Sequence, residues 1–428
     1  MRSSRDLLEL FYRDAVAAAH PSVCLPPVLP APPKAGRLIV LAAGKAAGAS
    51  IETVERHYLD ELGLSPEKLA GIAVTRHGHG RPSRVIPVIE AGHPVPDAAG
   101  LAAAEKTLAL ADSAGPDDLV LALVSGGASA AWIAPATGVS LEAKQAVTRA
   151  LLKCGATIGE INTVRKHLSR LKGGRLAAHA HPARLVTLAI SDVPGDDPSV
   201  IGSGPTVPDP STLASAWAIV AKYGLDLPDS VRRALADPDN ESPKPGDPAF
   251  ADTTYEIVAK PADAFRAAEA TIRDKGYDCL MLGDCLEGEA REVAGHHARI
   301  ALDLAAQGRR VVILSGGELT VTIHGEGRGG PNQEYALALA IALAGESGIC
   351  ALAADTDGID GGAGKADDPA GAVIDDGTMI RARRAGLDPA AFLVDNDSTG
   401  FFARLGDLVT PGPTCTNIND FRAILVDR

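Results

Sequence analysis

Short Val/Ile/Leu-rich runs that end in glycine-bearing turns alternate along this chain with alanine-rich stretches of helical length, and that alternation constrains its fold most. Residues 37–43 (RLIVLAA) lead into Gly44-Lys45-Ala46-Ala47-Gly48 and a helix to about residue 62. Residues 119–124 lead into Ser125-Gly126-Gly127, and 185–190 into Ser191-Asp192. In the second half, strands near 255–259, 277–282, 311–314 and 349–354 alternate with helices near 263–274 and 288–306. Parallel neighbours need long crossovers, usually helical, so the pattern predicts an α/β fold with largely parallel, helix-covered sheets. A chain of 428 residues exceeds one ordinary core, which predicts two such α/β domains. Residues 236–251 (ADPDNESPKPGDPAFA) are rich in proline, glycine and charge, so they are the expected linker between domains at 1–235 and 252–428.

The formal net charge of −13 argues against a nucleic-acid surface, which needs a basic stripe, and points to a small ligand. Six cysteines without CxxC spacing suggest neither a zinc site nor a disulfide framework. Acids interrupt the apolar positions of the first twenty residues, which therefore predict an amphipathic helix rather than a leader. No apolar run reaches membrane-spanning length. A cytoplasmic protein is the expectation, with a homodimer among the assemblies left open.

Chemistry on an anion is the natural reading of the turns. Lys45 follows a strand and precedes a helix, the place where ligands bind in open α/β sheets. It is not a Walker A lysine, because Ile39 stands where that motif needs glycine and Ala46 where it needs Ser or Thr. Ser125-Gly126-Gly127 is nearly repeated by Ser315-Gly316-Gly317-Glu318, and both turns could present backbone N–H groups to ligand oxygens. Residues 163–176 (TVRKHLSRLKGGRL) are the one strongly basic segment; Arg165 and Lys166 are anion candidates, and Lys166 shares a helical face with Arg170. Asp192 at a strand end could hold Mg²⁺ or act as a base.

In residues 311–339, a strand at 319–323 is expected as the second arm of a hairpin. After it come Gly325-Glu326-Gly327-Arg328-Gly329-Gly330-Pro331-Asn332 and a helix whose amino end would face the loop's ligand. An arginine flanked by glycines can lie against a phosphate. The same glycines match G-x-G-x-x-G, but that fingerprint requires a parallel strand leading straight into a helix. Asp355 and Asp357 lie in an acidic, glycine-containing turn that suits Mg²⁺ or a substrate hydroxyl better than an EF-hand.

Several long strings resemble the glycerate kinases that form 2-phosphoglycerate and carry a carboxyl-terminal MOFRL domain. They are AAGKAAGAS, EAGHPVPD, VSGGASA, INTVRKHLSRLKGGRLA, ISDVPGDDPSVIGSGPTVPDPST, LSGGELTVTIHGEGRGGPNQEYALALA, AADTDGIDGGAGKADDPAGAVID and DNDSTGFFARLGDLVTPGPTCTNINDF, which together span nearly the whole chain. Lys260-Pro261 departs from the pattern, since relatives often carry a small polar residue there. The resemblance implies a Rossmann-like first domain, MOFRL at about 310–420, and an active-site cleft between domains. It implies ATP with Mg²⁺ as donor, glycerate as acceptor, and Lys45 and Arg328 as catalytic cations. Asp192 would activate the alcohol or contact the metal, with Asp355 and Asp357 as further metal candidates. Ser125, Gly126, Gly127, Arg165 and Lys166 would hold substrate or phosphate oxygens; Ser315, Gly316, Gly317, Glu318 and Asn332 would hold the nucleotide. The rival function is an NAD(P)H-dependent hydroxypyruvate reductase, a name some relatives carry.

Overall fold

Six strands form the first sheet of the computed structural model, which describes residues 3–362 and 364–428. They are β1 (Leu38–Ala43), β2 (Leu69–Arg76), β3 (Val88–Ala91), β4 (Leu119–Val124), β5 (Arg184–Ile190) and β6 (Thr253–Ala259). Their order is β3-β2-β1-β4-β5-β6, and the pairs among β1 to β5 are parallel. Every residue of β1 and β4 is buried, as expected for strands covered on both faces. The two-residue period of a strand divides β1 between two cores. Ile39, Leu41 and Ala43 join one with Ala103, Ala104 and Leu108 of the helix Ala98–Asp112. Leu38, Val40 and Ala42 join the other with Ile51 and Val54 of the helix Ala47–Glu55. Each fully buried Leu or Ile contributes roughly 1.5–3 kcal/mol of transfer free energy.

The remaining strands are β7 (Asp278–Leu286), β8 (Arg310–Gly317), β9 (Ile349–Asp355), β10 (Gly371–Ile374), β11 (Leu408–Val409) and β12 (Asp420–Asp427). They form a second sheet in the order β11-β10-β9-β12-β8-β7. Here parallel pairing is confined to β7 and β8. The last strand, β12, inserts between β8 and β9 and runs antiparallel to both. Apolar runs alone do not disclose strand direction, so the expectation of largely parallel pairing fails in this sheet. The expected strand at 319–323 is also absent; Thr320 makes only an isolated bridge to Glu289.

The chain divides into one unit of Cys24–Val258 and another that combines Met1–Val23 with Ala259–Arg428. This corrects the expected boundaries at 1–235, 236–251 and 252–428 at both ends. The amphipathic helix Ser4–Ala18 buries Leu8, Phe11, Tyr12 and Ala15 in the second unit. There the Tyr12 hydroxyl donates to the Asp355 carbonyl at 2.8 Å, and its ring meets Phe421 edge-on. Its pattern predicts a buried face but not which core receives it. Residues 236–251 are no linker, because their polar groups fasten the first unit: Glu241 accepts from the Leu213 N–H at 3.0 Å and lies 3.0 Å from His167 Nε2.

Glu55 is 2% exposed and accepts from the backbone N–H groups of Arg84, Val85 and Ile86 at 2.7, 2.8 and 2.8 Å, which anchors the chain ahead of β3. Glu55→Ala should lower the urea unfolding free energy by on the order of 3 kcal/mol, since three backbone donors lose their acceptor. A change within experimental error would show that this clamp is unimportant.

Candidate active site

Parallel register aligns the carboxyl ends of five strands on one edge of the first sheet. Ala43 of β1 is level with Val74 of β2 and Val124 of β4; Val124 is level with Ala189 of β5, and Arg76 with Ala91 of β3. The edge therefore presents His93, Arg76, Lys45, Ser125 and Asp192 in succession. Strand order reverses between β1 and β4, where open α/β sheets hold their ligands. Lys45 and Ser125 follow those two strands.

Local contacts set the Lys45 turn. Gly44 has φ 114°, and a Cβ there would lie 2.3 Å from Ser125 Oγ, so glycine is required by both conformation and space. The Lys45 N–H donates to the Gly126 carbonyl at 2.8 Å, and the Ala46 N–H donates to Ser125 Oγ at 3.1 Å. The Ser125 hydroxyl, 3% exposed, thus braces two turns and is not the ligand contact expected for it. Gly127 brings the backbone close to the Lys45 stem and the His93 ring; together with Gly44 and Arg76 they line a small recess.

Beside this edge the basic segment separates its cations. Lys166 forms a buried ion pair with Asp209 at 3.3 Å, and Arg170 pairs with Glu105. Both are committed to structure, which corrects the assignment of Lys166 to substrate. Arg165 instead donates to Ser129 Oγ at 2.9 Å, and Lys172 donates to the Ser129 carbonyl at 2.7 Å. Burial pushes the Lys172 ammonium well below the usual lysine range, with repulsion from Arg165 and Lys144 adding to it. Nothing in the sequence distinguishes Lys172 from Lys166, because the difference lies in which neighbour supplies a carboxylate.

In the second unit the Gly-rich loop is held from behind. Its backbone N–H groups at Glu326 and Arg328 donate to the side chains of Asp395 and Asp397 at 3.1 and 3.2 Å, and that of Gly327 to the Asp395 carbonyl at 2.9 Å. A Cβ on Gly327 would lie 2.4 Å from Asp397 Cβ, and one on Gly330 2.2 Å from the Asp360 carbonyl. These glycines permit close packing, and the N–H groups of residues 325–328 already donate to protein acceptors. The Arg328 side chain is 67% exposed, with a 3.5 Å contact to Asp368.

Four expected nucleotide contacts meet protein partners instead. Ser315, Gly316 and Gly317 end β8, where a Cβ on Gly316 would strike the Phe265 ring at 2.5 Å and one on Gly317 the Leu286 backbone at 2.2 Å. The Gly316 carbonyl accepts from the fully buried Arg422, which also pairs with Asp420 at 2.8 Å. Asn332, 1% exposed, donates to Asp420 at 2.6 Å and to Asp360 at 3.2 Å. Asp360 also accepts the Asn332 and Gln333 N–H groups, so a protein carboxylate occupies the amino end of the helix Pro331–Leu343 that was expected to face a ligand. Glu318 is exposed.

Asp355 accepts the Asp357 N–H at 2.8 Å, and Asp357 accepts the Ile359 N–H at 2.7 Å, so both shape the turn after β9. Among the described residues no group of three or more His, Cys, Asp or Glu side chains could hold a metal.

An open, doubly wound sheet with cations at its carboxyl edge defines an α/β class that handles small anionic ligands outside the strand ends. Residues 7–236 match a domain of unknown function (DUF4147), and residues 311–420 match the MOFRL family. The chain is 51% identical to a putative hydroxypyruvate reductase of Agrobacterium vitis over 99% of its length and 95% of that protein. It is 39% identical to a D-glycerate 2-kinase of Thermotoga maritima, covering 90% of this chain and 89% of that one. A crystal structure of a Thermotoga maritima glycerate kinase matches with a TM-score of 0.86 and 36% identity over 99% of each chain. This chain belongs to the MOFRL-containing glycerate kinase family.

Burial pushes Asp360 up to about 7, with nearby Asp420 raising it further against the backbone donors. A carboxyl group raised on folding adds stability at low pH that is lost as pH climbs through its folded value. Between about pH 5 and pH 8 the wild type should therefore lose on the order of 3 kcal/mol relative to Asp360→Asn. Parallel stability profiles for the two proteins would refute this.

Proposed function

We propose that this protein transfers the γ-phosphoryl group of ATP to the 2-hydroxyl of D-glycerate, giving 2-phosphoglycerate and ADP. The observation that carries the reading is Lys45 at the point where strand order reverses, in a family that contains D-glycerate 2-kinases. Phosphoryl transfer depends on positioning and on neutralising charge over the moving group, and an ammonium at the sheet edge suits that task. The 2-hydroxyl oxygen bonds to the γ-phosphorus as the bond to the ADP oxygen breaks. Asp192, just beyond β5, accepts the hydroxyl proton or contacts the metal. Arg165 and the Gly126–Gly127 backbone hold substrate oxygens. The exposed Arg328 is the second cation assigned to the same reaction.

Mg²⁺ bound to phosphates commonly uses one or two protein carboxylates and retains several waters. The single carboxylate Asp192 fits an ion delivered with the nucleotide better than a protein cage. Bound there, the metal would neutralise phosphate charge.

Hydride transfer, suggested by the name of the Agrobacterium relative, fits less well. The turn after β1 is Gly44-Lys45-Ala46-Ala47-Gly48, which lacks the second glycine of a dinucleotide fingerprint, and in the Gly325–Gly330 loop the N–H groups of residues 325–328 already donate to protein acceptors.

Purified protein with ATP, Mg²⁺ and D-glycerate should form 2-phosphoglycerate, while NADH with hydroxypyruvate should not react. Accumulation of 3-phosphoglycerate would keep the kinase and reject the regiochemistry; NADH oxidation without phosphorylation would reject the kinase. Lys45→Ala and Arg328→Ala should each lower kcat by about 10²–10³ while leaving the melting temperature near wild type. Near-normal turnover in either variant would remove that residue from the mechanism.

A further inference from the structure

Ser129, in the short helix Ala128–Ala131 after the Ser125–Gly127 turn, sits among an unusual set of donors. Its Oγ lies 2.7 Å from Ser203 Oγ, 2.9 Å from Arg165 Nη2 and 3.2 Å from Lys172 Nζ. Ser203 is held in the left-handed region at φ 65°, between Gly202 at 59° and Gly204 at 58°. A residue with a Cβ pays about 1–2 kcal/mol for that conformation. The loop is pinned there by the Gly173 N–H to the Ser203 carbonyl at 3.0 Å and the Gly174 N–H to the Gly204 carbonyl at 2.7 Å.

Proton counting shows what this cluster lacks. Each serine hydroxyl carries one hydrogen and two lone pairs. One of the two hydrogens makes the Ser129–Ser203 bond. Among the described residues, the other has no protein acceptor, whichever serine carries it. Arg165 and Lys172 donate only to neutral groups here, as does Lys144 to the Leu168 carbonyl at 2.6 Å. Three basic side chains therefore gather without a carboxylate partner among the described residues in a protein of net charge −13, and burial disfavours the charged form of both lysines. Buried charge of one sign normally has a counter-charge. Ser129 and Arg165 are half-buried rather than sealed, so a ligand oxygen can reach them.

We infer that Ser129, Ser203 and Arg165 bind the carboxylate of the acid substrate, with Lys172 positioning Ser129 through its carbonyl. The assignment rests on the three-carbon acid reading above. A planar carboxylate matches a guanidinium fork and needs the spare hydroxyl donor as well. The position also agrees with the chemistry. A Cβ on Gly127, two residues before Ser129, would stand 3.6 Å from Lys45 Cγ, so the short helix that carries Ser129 starts beside the lysine stem.

Ser203→Gly provides the test, because it removes the hydroxyl while glycine suits the backbone conformation. The variant should melt at or above the wild-type temperature. Its KM for D-glycerate should rise about 10–100-fold, the value of a hydrogen bond to a charged group, with kcat less affected and the ATP KM within about twofold. Arg165→Lys should show the same split. In a binding assay without nucleotide, D-glycerate should raise the wild-type melting temperature and glycerol, which lacks the carboxylate, should not. Stabilisation by glycerol equal to that by glycerate would overturn the assignment. An unchanged glycerate KM in Ser203→Gly would overturn it and leave the kinase reading standing, and a raised ATP KM would reassign the cluster to the nucleotide. Glycerate-dependent stabilisation that the variant loses, in a protein without kinase turnover, would keep the carboxylate site and reject the kinase reading. Absence of both stabilisation and turnover would remove both.

Discussion

The parallel register of β1 and β4 is the constraint on which the candidate site depends. It makes two strands end level at the place where strand order reverses. Gly44 then lets the two turns pack directly, with the Ser125 hydroxyl braced between them. Lys45 is consequently fixed at its backbone by a neighbouring strand's turn, while its side chain extends along the edge. A side chain on Gly44 would separate the turns and move that backbone.

Glycine has a different meaning in the second unit. The turns at Ser315–Gly317 and Gly325–Gly330 have the composition of phosphate loops, yet protein fills the space beside their glycines and accepts the N–H groups of residues 325–328. Gly316 accommodates Phe265, and Gly327 accommodates Asp397. Behind them a buried polar network of Asp360, Asn332, Asp420 and Arg422 ties the loop region to the last strand. Such a network rigidifies when fully satisfied and is costly when a member is lost. Its consequence for function is that Arg328 emerges from a firmly held backbone with a side chain still open to solvent.

Charge is distributed on the same principle. Several basic residues of the first unit pair with an acid, as Lys166 does with Asp209 and Arg170 with Glu105. Arg165, Lys172 and Lys144 have no such partner among the described residues, and the first two donate to a hydroxyl pair with a hydrogen to spare. Like charges gathered away from water raise the energy of the free protein, and an anion relieves that cost. On the proposed reading, the first unit carries its preference for an acid substrate in spare donors rather than in net charge.

The sequence by itself determined the α/β class, the strand-to-turn placement of Lys45 and Asp192, and the family, because these follow from local periodicity and contiguous strings. It also located Arg328 in its loop. Tertiary structure decided the antiparallel insertion of β12, the docking of the first helix on the second unit, and the incorporation of residues 236–251 into the first. It also separated Lys166 from Lys172 and turned Ser315–Gly317 and Asn332 from ligand contacts into packing and buried hydrogen bonds. Residue types carry their capacity for hydrogen bonding and charge along the chain. Whether that capacity meets a protein partner or remains for a ligand depends on neighbours distant in sequence, and only packing brings those neighbours together.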